Sequence, residues 1–186
     1  MNRLFSITAA FAILLAPALT VAKENYFLQL PVAVDPATPI PETVKNECGV
    51  ELLIGNYALT EIGKRAGTVQ SVAEPGPAGD GKTVQITILA VRGWGGGAWT
   101  GPKSMTIRVD LKNGEALAGT TVLRRNSNGG VFGGFSGTCT ILDRVAGALG
   151  KDVAVWLARG AQTAPASQTV VESSEQADEA AAESKK

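Results

Sequence analysis

One stretch constrains this chain more than any other. Met105, Ile107, Val109 and Leu111 alternate with Ser104, Thr106, Arg108 and Asp110, the two-residue period of a strand with one face in a core. Asn113-Gly114 comes next, a pair that accepts positive φ at both central positions of a tight turn. A second run returns from Ala116 to Val122, so the stretch predicts a β-hairpin. With Lys112 facing Glu115, Leu111 would oppose Ala116, Val109 Ala118, Ile107 Thr120 and Met105 Val122. Bulky residues on one strand beside small ones on the next leave a trough in the sheet, and a trough suits a helix.

Sequence on either side supplies the rest of a sheet and its helices. Thr83 to Arg92 is rich in β-branched residues, with Val84, Ile86, Ile88 and Ala90 on one face. Thr68 to Ala73 reads as a shorter strand, separated from it by the turn cluster from Glu74 to Gly81. Tyr26 to Leu30 has strand character, but Pro31, Pro36, Pro39 and Pro41 make 23–41 an extended connector. From Glu42 the period becomes helical: Val44, Cys48, Leu52, Gly55, Leu59, Ile62 and Ala66 step by three or four. Gly49 and Gly55 interrupt that stripe, either to bend the helix or to let it pack closely. Gly67 stops it. Ile141, Leu142, Val145, Leu149, Val153 and Trp156 form a second helical stripe, started by a Thr140/Asp143 capping box and ended at Gly160.

The fold class these elements imply is α+β: an antiparallel meander of about four strands with two helices packed on one face. Cys48 and Cys139, the chain's two cysteines, lack the C-x-x-C spacing of thiol oxidoreductases and suit a structural bridge tying the first helix to the last. The expected organisation is a signal peptide over 1–22, an extended segment over 23–41, one domain over 42–160 and a disordered acidic tail over 161–186. Arg3 gives the signal its charge, Leu4 to Leu15 its apolar core, and Thr20-Val21-Ala22 its small residues before the cut. No segment approaches the roughly 20 apolar residues of a spanning helix. Periplasmic export is the expectation.

Several functional classes fall away at once. The chain has no histidine, which removes histidine-based triads, histidine general bases and histidine metal ligands. Seventeen basic residues balance seventeen acidic ones, and no basic patch argues for nucleic acid. No cofactor motif is present, because Gly129–Thr138 lacks the lysine of a phosphate-binding loop. Asp110 and Glu115 flank the hairpin turn and give a second alternative, a carboxylate-dependent hydrolase, although a solvated hairpin end explains both. The candidate ligand site is the loop carrying Trp94 and Trp99 among glycines, with Lys103 adding a charge at the next strand. Glycines admit a close approach, and indoles stack on sugars or dock apolar groups. Such a loop would take an envelope glycan or a peptide; the alternative is that both rings fold back over the core.

The layout around Trp99-Thr100-Gly101-Pro102-Lys103-Ser104, Gly129–Phe135, Thr138-Cys139 and Trp156-Leu157 resembles a group of uncharacterised proteobacterial envelope proteins. Their shared pattern is a hairpin, a Gly-rich segment and a helix closing in an aromatic-Leu pair. The resemblance implies an envelope location and no activity. Together these readings describe an exported, non-enzymatic protein with a binding or envelope role.

Overall fold

The structure, a computed structural model, describes residues 24–38, 40–74, 81–93, 103–127 and 137–162. The predicted signal peptide, the Trp94/Trp99 loop, the Gly129–Ser136 stretch and the tail beyond Gln162 lie outside the described residues.

The chain forms β1 (Glu24–Gln29), β2 (Ala33–Val34), α1 (Glu42–Cys48), α2 (Val50–Arg65), β3 (Gly67–Val72), β4 (Lys82–Arg92), β5 (Lys103–Asn113), β6 (Ala116–Ser127) and α3 (Thr138–Ala158). The strands make one six-stranded sheet in the order β3-β1-β4-β5-β6, with β2 paired to β4. The α+β class and the antiparallel β4-β5-β6 meander agree with the sequence. The count of four does not. Two strands enter from the segment expected to be a connector, and β1 runs parallel to both β3 and β4, so the sheet is mixed. Leu28 explains this placement: it is fully buried and sits between Ser71 and Val84 in register, at a site that only an interior strand offers.

The hairpin forms with a different register. Asn113 pairs with Ala116, so Gly114-Glu115 make the turn, and positive φ falls on Gly114 alone. A bulge beside Lys112–Leu117 then shifts the ladder again, leaving Leu111 opposite Gly119, Val109 opposite Thr121 and Ile107 opposite Leu123. The trough survives in new hands. A Cβ at Gly119 would collide with the Ala161 carbonyl and lie 3.3 Å from the Trp156 indole, so the glycine admits the end of α3. A second bulge between Ile88 and Ala90 turns Val91 inward, where alternation alone would have placed Ala90.

One predicted helix is two. Gly49 adopts φ 54, which ends α1 and starts α2 with a new phase. Val50, Ile54, Ala58 and Ile62 therefore face the core, and Leu52, expected inside, is exposed. Gly55 serves close packing instead: a Cβ there would strike the Leu30 side chain. Gly67 likewise answers to space, because its Cβ would enter the Glu24 carbonyl of the paired strand.

The last helix begins two residues before the predicted cap. Gly137 is its N-cap without a side-chain bond, and Asp143 accepts a hydrogen bond from the Tyr57 hydroxyl at 3.0 Å. That bond joins α3 to α2. Gly150 brings them close, since a Cβ on it would stand 2.8 Å from the Tyr57 backbone. Both helices cover one face of the sheet, and Leu142, Val145, Leu149 and Val153 of α3 share one buried core with Met105, Ile107 and Val109 of β5. Arg125 on β6 clamps Asp152 on α3 through Nε and Nη2 at 2.6 and 2.8 Å. Cys48 and Cys139 are bonded, with Cα atoms 5.1 Å apart, as the sequence predicted.

Candidate functional site

The strand ends sort the molecule into two poles. At one, Arg92 pairs with Ser104 and Lys103 with Ser127, so the described roots of both Gly-rich loops are neighbours. A Cβ on Gly93 would lie 2.7 Å from Val44 and 3.3 Å from Thr138, so α1 and the start of α3 close over this end beside the disulfide. Lys103 is buried there, 2% exposed, and desolvation lowers the pKa of its ammonium. Trp94 and Trp99 lie outside the described residues. Asp110 and Glu115 do not face each other: Asp110 pairs with Thr120, accepting its hydroxyl at 2.6 Å and the Arg108 Nε at 3.0 Å.

The opposite pole holds a cleft of about 470 Å³. Its position is set by the fold. α2 ends at Arg65, β1 and β3 begin side by side at Glu24 and Gly67, and β4 begins at Lys82 opposite Tyr26. α3 ends above them, and Gly160 and Ala161, with φ 86 and 49, turn the chain back across Gly119. Tyr26, Leu111, Leu157 and Ala161 give the cleft an apolar floor. Glu24, Lys64, Arg65 and Lys82 make its rim.

The rim charges are held rather than loose. Lys82 Nζ donates to Glu24 at 2.6 Å, and the Tyr26 hydroxyl donates to the other carboxylate oxygen at 2.8 Å. Glu61, nearly buried behind the rim, accepts Lys64 at 2.8 Å and the Arg65 Nε at 2.9 Å. Among the described residues the rim thus presents three cations and one carboxylate. Lys64 and Arg65 also face the negative end of the α2 dipole, which tethers them further. The hydrogen bond from Lys82, and then that from Tyr26, holds the Glu24 carboxyl below the ordinary range; Lys64 and then Arg65 do the same for Glu61. Burial, and then the bond to Glu24, raises the Tyr26 phenol.

A depressed carboxyl pKa stabilises the fold fully above the unfolded value of 4.5 and loses that effect as pH falls through the folded value. Thermal melts from about pH 6 to about pH 3 should therefore decline below about pH 4.5, and Glu61→Gln should flatten part of the decline. A wild-type melting temperature constant across that window would contradict the pairing.

Sequence reasoning missed this cleft. Its residues come from separate elements spread between Glu24 and Ala161, and the one local signal, Lys64-Arg65, reads equally well as a helix end. Among the described residues no group of three or more His, Cys, Asp or Glu could hold a metal ion. No described helix is long and apolar enough to cross a membrane.

No family model matches the chain, and no curated protein does. Solved structures do. A PelC variant dodecamer from Paraburkholderia phytofirmans is similar at 14% identity and TM-score 0.45, over 74% of this chain and 93% of that one. A DUF330 protein from Xanthomonas campestris is similar at 11% identity and TM-score 0.42, over 77% and 89%. A neuraminyllactose-binding hemagglutinin homolog from Helicobacter pylori is similar at 9% identity and TM-score 0.35, over 74% and 82%. The structural neighbours thus include PelC and DUF330 proteins of proteobacteria.

Proposed function

We propose that the mature chain is an exported, non-enzymatic binding domain of the periplasm, and that its cleft takes a small ligand with an acidic group beside an apolar body. The rim carries this reading: Lys64, Arg65 and Lys82 stand around an apolar floor in a cavity of about 470 Å³. Ligand pockets run from roughly 300 to 1,000 Å³, so the size suits a small molecule or a few residues of peptide. Lys64, Arg65 and Lys82 are paired with two carboxylates, Glu24 and Glu61, which leaves one net positive charge at the mouth and favours an anionic head. Support for export comes from the Arg3 to Ala22 pattern and from the Cys48–Cys139 bridge, which persists in an oxidising compartment.

The test is a titration with 1-anilinonaphthalene-8-sulfonate, an anion with an apolar body, monitored by its fluorescence. Lys64→Glu with Lys82→Glu should weaken binding about tenfold. Both side chains are partly exposed, at 60% and 33%, but each holds a carboxylate, so the melting temperature of the variant is measured beside the titration and Lys64→Gln with Lys82→Gln serves as the milder form. Unchanged affinity would remove the cleft as the site.

A second reading places an envelope glycan or peptide on the Trp94/Trp99 loop. It is favoured by the pairing of Lys103 with Ser127, which roots both Gly-rich loops at one pole. Peptidoglycan fragments that shift the indole fluorescence of wild type, and not of a Trp94→Ala variant, would support it.

A further inference from the structure

The chain leaves the described fold at the mouth of the cleft. Ala161 is itself part of the floor, and the Trp156 indole donates to the Gln162 carbonyl at 3.0 Å, holding the exit in place. The Ala161 amide bonds the Trp156 carbonyl, also at 3.0 Å, across two residues in the left-handed region. The sequence beyond this exit pairs apolar with acidic side chains, and the cleft offers an apolar floor beside Lys64, Arg65 and Lys82. Residues 163–186 carry one pair of branched aliphatic side chains, Val170-Val171, and then Glu172, Glu175, Asp178, Glu179 and Glu183, with Lys185 and Lys186 only at the end. From Gln162 to Val170 an extended chain reaches roughly 26 Å, far enough to double back into a cleft that begins at the exit.

We infer that the acidic C-terminal segment is an intramolecular ligand of the cleft, with the valine pair over the apolar floor and Glu172 and Glu175 against Lys64, Arg65 and Lys82. This rests on the reading of the cleft as a binding site. A tethered segment acts at an effective concentration in the millimolar range, so even a weak contact fills the cleft for much of the time. An outside ligand must displace it. The segment thereby sets a threshold, excluding weak anions and yielding to those that hold the rim better.

The experiment uses the full mature chain and the same anilinonaphthalenesulfonate probe. In one variant Val170 and Val171 become Ser. In a second, Glu172, Glu175, Glu179 and Glu183 also become Gln and Asp178 becomes Asn. At low salt the second variant should bind the probe about three- to tenfold more tightly than wild type, and the gain should shrink in about 0.5 M salt. The valine-only variant keeps every carboxylate, so it separates docking from simple repulsion of the probe; it should gain about two- to threefold. A synthetic 163–186 peptide should displace the probe from the second variant. Equal affinity in wild type and the valine-only variant would overturn the inference and leave the cleft as a binding site. A probe that binds none of the three proteins would overturn both.

Discussion

Replacing Cys48 and Cys139 together with serine is expected to lower the stability of the mature chain by about 4 to 5 kcal/mol, the largest effect of any change considered. The bridge spans 91 residues, and releasing a loop of that size returns a large amount of chain entropy to the unfolded state. In a domain of this size the loss corresponds to about 10 to 20 °C in melting temperature. Its local consequence is as specific. α1 has seven residues, too few to be stable alone, and is held by buried Val44 against Gly93 and by the bond from Cys48 to α3. Amide exchange in α1 should accelerate first. Chemical denaturation should show a lowered midpoint and a somewhat steeper slope, because the unbridged unfolded chain exposes more surface. A loss below about 1 kcal/mol, or two free thiols in unfolded protein from the native compartment, would contradict the bridge.

Leu28→Ala is expected to cost about 2 to 5 kcal/mol. Leu28 is fully buried on β1, flanked by Ser71 of β3 and Val84 of β4, so its removal leaves a cavity inside the sheet's core face. Leu52→Ala supplies the contrast. That side chain is 55% exposed on α2, so its removal should change stability by about 0.5 kcal/mol or less. Equal small effects at both sites would mean that the N-terminal segment is not part of the sheet.

These two leucines also show what a linear reading can reach. Leu52 falls on the stripe that runs from Val44, and a single left-handed residue at Gly49 is enough to turn it outward. Nothing in Glu47-Cys48-Gly49-Val50 distinguishes that break from a glycine tolerated inside a helix. Leu28 belongs to a run cut short by Pro31, and its partners lie more than forty residues away, a pairing that periodicity does not register.

The hairpin was legible as a hairpin because alternation and Asn113-Gly114 are local signals. Its register was not. Ala116, Ala118 and Gly119 give little preference for one face, so the turn moves one residue and a bulge takes up the difference. The disulfide and the apolar stripe of α3 were legible, the first from compartment and cysteine count, the second from an unbroken period. The cleft was beyond reach: Glu24, Lys64, Lys82 and Ala161 meet only once a parallel β1 has set the ends of α2, β4 and α3 at one pole.

That meeting point is what amide chemical-shift mapping during the anilinonaphthalenesulfonate titration would examine most directly. Shifts should gather at Glu24, Tyr26, Lys64 to Gly67, Lys82 and Ala161, and Lys64→Glu with Lys82→Glu should move their midpoint to about tenfold higher probe concentration. Shifts gathered instead around Gly93, Lys103 and Ser127, with the cleft silent, would contradict it.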